Sequence, residues 1–166
     1  MGAPDPLAIE VVDLLRARHA SVAAAESLTG GLVAAALVAV PGASEVVRGG
    51  VVAYATDVKT GLLGVDPALI AAHGTVDGRV AEAMADRVRE ACGATWGVST
   101  TGVAGPGASE GKPAGTVHVG VAGPAGATSQ LLALPGGRDD VRRAAVAAAL
   151  SLLVARLGEE PRRDRR

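Results

Sequence analysis

A chain of 166 residues that is 49% hydrophobic and 20% charged is too apolar for intrinsic disorder and long enough to bury one core. A net charge of −1 gives no electrostatic case for nucleic acid or an anionic membrane as a partner. A single cysteine, Cys92, excludes an intramolecular disulfide and fits a reducing compartment.

No apolar run reaches the roughly 20 residues that a membrane-spanning helix needs. The N-terminus "MGAPDPLAIE" lacks the basic flank and apolar stretch of a signal peptide. The expectation is a cytoplasmic domain over residues 1–158 with a frayed basic tail at 159–166. Only Tyr54 and Trp96 are aromatic, so Val, Leu, Ile and Ala must fill the interior.

In chain order, "LAIEVVDLLRARH" places Leu7, Val11, Leu14 and Leu15 on one face and reads as a helix. "ASVAAAE" follows as a short strand, and "TGGLVAAALVAV" as a helix closed by Pro41-Gly42. "EVVRGGVVAYA" is β-branched and interrupted by Gly49-Gly50, as a bulged strand would be. "DVKTGLLG" and "DPALIAAHG" read as short helical turns, the second with Asp66 as N-cap and Pro67 at the first helical position.

Asp77 then caps the helix "GRVAEAMADRVREACG", and "TWGVSTTG" is a strand entering the loop "VAGPGASEGKPAG". "TVHVGVAGPAGATSQLLAL" alternates on both sides of Gly123-Pro124, the mark of a hairpin, and "RDDVRRAAVAAALSLLVARL" is the last helix. Strands alternating with helices until one late hairpin imply an α/β layered domain with a mixed sheet.

Four stretches can carry chemistry, and each has a plainer reading. Ser27 falls where a strand end meets a helix start, a place where α/β domains bind ligands. Backbone N–H groups there stabilise an anion, and Gly30-Gly31 permit close approach. The plain alternative is that Ser27 or Thr29 only caps the helix.

A serine needs a base. His19 precedes a strand, His73 sits beside a helix-ending glycine and His118 lies inside a strand, whereas Lys59 lies among Val58, Leu62 and Leu63 with Tyr54 five residues upstream. A lysine serves as base if burial lowers its pKa; otherwise it is a solvated surface lysine.

In "STTGVAGPG", Thr101 and Gly102 end a strand before a glycine-rich turn, which is either an anion nest or an ordinary turn. Arg138 and Arg142, four apart at a helix start, can clamp a phosphate or carboxylate, or pair with aspartates on a solvated face. "GASEGKPAG" is not a Walker loop, since proline follows Gly-Lys, and no cluster has metal-ligand spacing. No cofactor is expected.

Taken in order, "AESLTGG", "VPGASEVVRGGVVAYATDVKTGLLGV", "TGVAGPG", "KPAGTVHVGVA" and "GGRDDVRRAAVAAAL" resemble the successive motifs of the CinA C-terminal domain family, from about residue 7 to about 157. The characterised activity of that family is nicotinamide-nucleotide amidohydrolase (NMN deamidase). Larger members add a molybdopterin-binding-like domain, and this chain looks like the stand-alone form.

The resemblance implies a three-layer α/β/α sandwich on a mixed, mostly parallel sheet, which hydrolyses the carboxamide of nicotinamide mononucleotide (NMN) to nicotinic acid mononucleotide and ammonia by a serine–lysine pair, without metal or organic cofactor. It assigns Ser27 as nucleophile, Lys59 as base and Tyr54 as their companion. Substrate contacts fall to Thr101 and Gly102, to one of Arg138 and Arg142, and to the Thr29, Gly30 and Gly31 turn. A pyridine mononucleotide is the expected partner, with a homo-oligomer and no nucleic acid or membrane. The alternatives are a Ser-Lys amidase for another small amide, or a non-catalytic regulatory module. Three departures stand out: Leu28 for a small or sulfur-bearing residue, Gly137 for the aspartate before Arg138, and Asp77-Gly78 for Ser-Glu.

Overall fold

The computed structural model describes residues 2–159, so most of the expected basic tail, residues 160–166, lies outside the described residues. The elements are α1 (Pro6–Ala17), β1 (Val22–Glu26), α2 (Leu32–Val38), β2 (Val47–Val52), α3 (Thr56–Gly61), α4 (Pro67–His73), α5 (Gly78–Cys92), β3 (Trp96–Gly102), β4 (Thr116–Gly123), β5 (Gly126–Ala133) and α6 (Arg138–Glu159), with one 3-10 turn at Ala43–Glu45.

They build a five-stranded mixed sheet in the order β2-β1-β3-β4-β5. β1 pairs in parallel with β2 and β3, and β3, β4 and β5 pair antiparallel. The bulge expected near Gly49 is present: Val22 faces Val47 but Ala23 faces Gly49, leaving Arg48 as the extra residue.

Strand alternation splits the core in two. Val22 and Ala24 of β1 join Trp96, Val98, Val117, Val119 and Val121 beneath α1, α2 and α6, where Leu15, Leu37, Leu150, Leu153 and Leu157 are fully buried. Ala23 and Ala25 point the other way, to Leu63, Val65, Val80, Met84 and Val88 from the α3–α5 layer. With so few aromatics, packing relies on close backbone approach: a Cβ on Gly97 would be driven into the Ala85 carbonyl, and one on Gly120 would lie 2.6 Å from the Ala81 carbonyl oxygen. α5 therefore sits on β3 and β4 with almost no side chain between them.

Two expected boundaries move, each for a physical reason. α2 starts at Leu32 rather than Thr29, because Gly30 and Gly31 have φ of 58° and 102° and hold the chain out of the right-handed helix. β2 ends at Val52, so Tyr54 and Ala55 lie in the connection that enters α3.

Candidate active site

Because side chains alternate along β1, Glu26 points to the α2 face and Ser27 follows it at the strand's end. The parallel register aligns Glu26 with Val52 and with Thr100, so β1, β2 and β3 finish together. β1 leads to β2 on one side, and β2 leads to β3 on the other. The loops after these strands thus open at a topological switch point, the crevice where open α/β sheets bind ligands.

A cavity of 370 Å³ lies there, bordered by Ser27, Lys59, Tyr54, Thr101, Gly102 and Arg138 among others. This is within the size range of small-molecule sites.

Ser27 and Lys59 meet in it. Lys59 Nζ donates to Ser27 Oγ at 3.1 Å, to the Ala53 carbonyl at 2.7 Å and to the Tyr54 carbonyl at 3.2 Å. Ser27 is 8% exposed and Lys59 only 2%. The solvated alternative for Lys59 is therefore not what the fold builds. Burial pushes its ammonium below the ordinary lysine value, and the Glu110 charge pushes it partly back.

When Lys59 is neutral, two N–H bonds satisfy the two carbonyls and the lone pair is left facing the Ser27 hydroxyl. The pair can then act as a proton acceptor and its nucleophile.

Neither Ser27 nor Thr29 makes the helix cap that the sequence leaves open for them. That job belongs to Glu26, 1% exposed, whose carboxylate accepts from Val33 N–H at 2.8 Å and Ala34 N–H at 3.1 Å. The Thr29 hydroxyl donates to Glu26 at 2.6 Å and lies 2.7 Å from the Thr100 hydroxyl. The Ser27 amide donates to the Thr100 carbonyl at 3.0 Å. The one signal of this buried network in the sequence is a glutamate ending the apolar run "VAAA".

The remaining residues separate into rim and support. The Tyr54 side chain, 60% exposed, stands at the rim, where its hydroxyl accepts from Arg138 at 3.1 Å. Arg138 also donates to the Gly105 carbonyl at 2.7 Å. Tyr54 thus meets Lys59 through its carbonyl, with its hydroxyl engaged by Arg138.

Thr101 and Gly102 line the cavity, and the Thr101 hydroxyl donates to the Thr75 carbonyl at 2.7 Å. Thr29, Gly30, Gly31 and Arg142 do not line it. Arg142 instead braces the turn after Ser27 from behind, donating to the Leu28 carbonyl at 2.9 Å and the Thr29 carbonyl at 3.3 Å. Gly30 N–H closes that turn onto the Ser27 carbonyl at 3.0 Å.

With glycine at 137, the backbone N–H there donates to Asp140 at 3.0 Å, the carboxylate three residues on reaching back to the helix entrance. Among the described residues, no group of His, Cys, Asp and Glu is placed to hold a metal ion, and no helix is long and apolar enough to cross a membrane.

Comparison with known proteins converges on one family. The model of the CinA C-terminal domain matches residues 4–157. A CinA-like protein of Frankia casuarinae is 53% identical over 152 residues, covering 92% of this chain and 35% of that protein. Another, from Anaeromyxobacter dehalogenans, is 53% identical over 150 residues, covering 90% and 37%. The chain spans about a third of the length of these curated relatives.

Among solved structures, the competence damage-inducible protein A (ComA) from Klebsiella pneumoniae superposes with a TM-score of 0.90 at 31% identity, over 93% of this chain and 97% of that one. The competence/damage inducible protein CihA from Agrobacterium tumefaciens gives 0.85 at 33%, over 96% and 100%. With the family model matching nearly end to end and relatives at half identity, this chain belongs to the CinA C-terminal domain family, of the competence/damage-inducible type.

Proposed function

We propose that this domain is an amide hydrolase that converts nicotinamide mononucleotide to nicotinic acid mononucleotide and ammonia, with Ser27 as nucleophile and Lys59 as general base. The observation that carries the reading is the buried Lys59 amine, 3.1 Å from Ser27 Oγ and anchored on the Ala53 and Tyr54 carbonyls. The choice of NMN follows from the family resemblance.

In the first half-reaction, neutral Lys59 takes the Ser27 proton and the oxygen attacks the carboxamide carbon. The C–N bond of the tetrahedral intermediate then breaks, and the leaving nitrogen takes the proton from Lys59 to depart as ammonia. In the second, Lys59 deprotonates a water that attacks the ester. Ser27 recovers its proton and the acid leaves.

The oxyanion is met by the backbone N–H of Leu28 in the cavity wall, since the Ser27 N–H is already given to the Thr100 carbonyl. Gly30 does not contribute, since its N–H already closes the turn. Arg138, at the rim, is the cation for the substrate phosphate, while Arg142 keeps the turn in place.

A substrate panel tests the proposal. NMN should release ammonia and nicotinic acid mononucleotide in equal amounts, with nicotinamide riboside and nicotinamide far poorer. Arg138→Ala should raise KM for NMN about tenfold or more, the size of one charge-assisted contact to phosphate. Equal turnover of NMN and free nicotinamide would point to an amidase without a phosphate subsite.

A further inference from the structure

Between β3 and β4 the chain runs out as an exposed narrow hairpin, residues 105–113. Ser109 and Lys112 close it with reciprocal backbone bonds of 3.0 and 2.9 Å. Its two turn residues, Glu110 and Gly111, have φ of 54° and 72°, both left-handed, as in a type I′ turn. Glycine, asparagine and aspartate tolerate that backbone, and a glutamate there is an outlier.

The Glu110 side chain supplies the reason. Its carboxylate accepts from the Thr75 N–H at 2.9 Å, the Thr75 hydroxyl at 2.5 Å and the Val76 N–H at 3.2 Å. Lys112, from the same hairpin, donates to the Val76 carbonyl. Thr75 and Val76 form one wall of the Ser27–Lys59 cavity, and Gly107, Ala108 and Ser109 form another.

We infer that Glu110 is a positioning residue of this site: it pins the hairpin to the Thr75–Val76 wall of the cavity and holds its negative charge at that wall. The inference rests on the Ser27–Lys59 reading for its kinetic consequence alone.

Burial raises the Glu110 carboxyl, but the Thr75 hydroxyl, the Thr75 and Val76 amides and the Lys112 charge outweigh it and hold it below the usual range. It is therefore the charged carboxylate that the clamp favours. The Glu110 charge in turn favours the protonated form of Lys59, opposing burial. The Lys112 charge acts on Glu110, the Glu110 charge acts on Lys59, and the Lys112 and Asp77 charges act on His118.

The chain has only two lysines, so lysine-selective isotope labelling resolves Lys59 from Lys112 in a pH titration by NMR. Glu110→Gln keeps the shape and removes the charge; it should move the Lys59 midpoint to lower pH by about half a unit or more. Glu110→Ala removes the clamp; it should speed hydrogen exchange at the Thr75 and Val76 amides about tenfold or more. With NMN as substrate, Glu110→Ala should also raise KM severalfold while kcat changes less.

A Lys59 midpoint unmoved in Glu110→Gln, with Thr75 and Val76 exchanging at the wild-type rate in Glu110→Ala, would overturn the inference. If the wild-type protein leaves NMN intact, the proposed activity fails, and the titration and exchange results still decide the role of Glu110.

Discussion

Lys59 shows how a single residue's surroundings change its chemistry. A lysine on a short helix is ordinarily solvated and fully protonated at neutral pH. Here α3 turns it inward beneath Ser27, and desolvation disfavours the charge. Only the neutral amine can accept the serine proton, so kcat/KM should climb as pH rises through the lowered Lys59 pKa and fall away below it. A pH–rate profile should place that acid limb under the ordinary lysine range, and Lys59→Ala should lose the limb together with most of kcat.

Glu26 makes a matching argument for support. Glu26→Gln keeps its size but puts an NH2 group against one of the two amides it now accepts, Val33 or Ala34. The cost should be about 1–3 kcal/mol in a urea unfolding experiment, with kcat reduced because the same turn carries Ser27.

Most elements are legible in the sequence because their signals are local. Asp66 and Asp77 do cap α4 and α5, Pro67 opens α4, and the β4–β5 hairpin turns where alternation breaks at Gly123. The start of α2 is not, because its cap comes from Glu26, seven residues before Val33, through a side chain that no local rule places there. The Glu110 clamp is hidden for the same reason: Thr75 lies 35 residues away, and only the folded crevice brings the two together.

Close packing of α5 on the sheet is likewise invisible in a run of glycines and alanines, yet it governs stability. Gly97→Ala should be among the more damaging single-methyl additions in the chain, because the new Cβ meets backbone rather than a side chain that can move. A loss of about 1–3 kcal/mol or more in denaturant midpoint analysis is expected, against little change for Gly107→Ala, where nothing stands within 4 Å.

Across the whole molecule, the parallel strands β2, β1 and β3 end side by side, and the switch in strand order opens the crevice between the loops that follow them. Sequence-distant motifs become one cavity by that route: "AESLTGG" brings Ser27, "VVAYATDVK" Lys59 and its carbonyl anchors, "TTGVAG" the far wall, and the start of α6 the rim arginine.

The order of these blocks in the chain signalled a shared site, but it did not reveal which arginine faces the cavity or that Tyr54 turns its hydroxyl to Arg138. Both follow from where α6 begins relative to β2, a tertiary relation. The most direct measurement is ammonia release from NMN by the wild-type domain, Ser27→Ala and Lys59→Ala side by side. Release by the wild type with loss of at least about a thousandfold in each variant is the expected result, and release by Ser27→Ala near the wild-type rate would contradict the account.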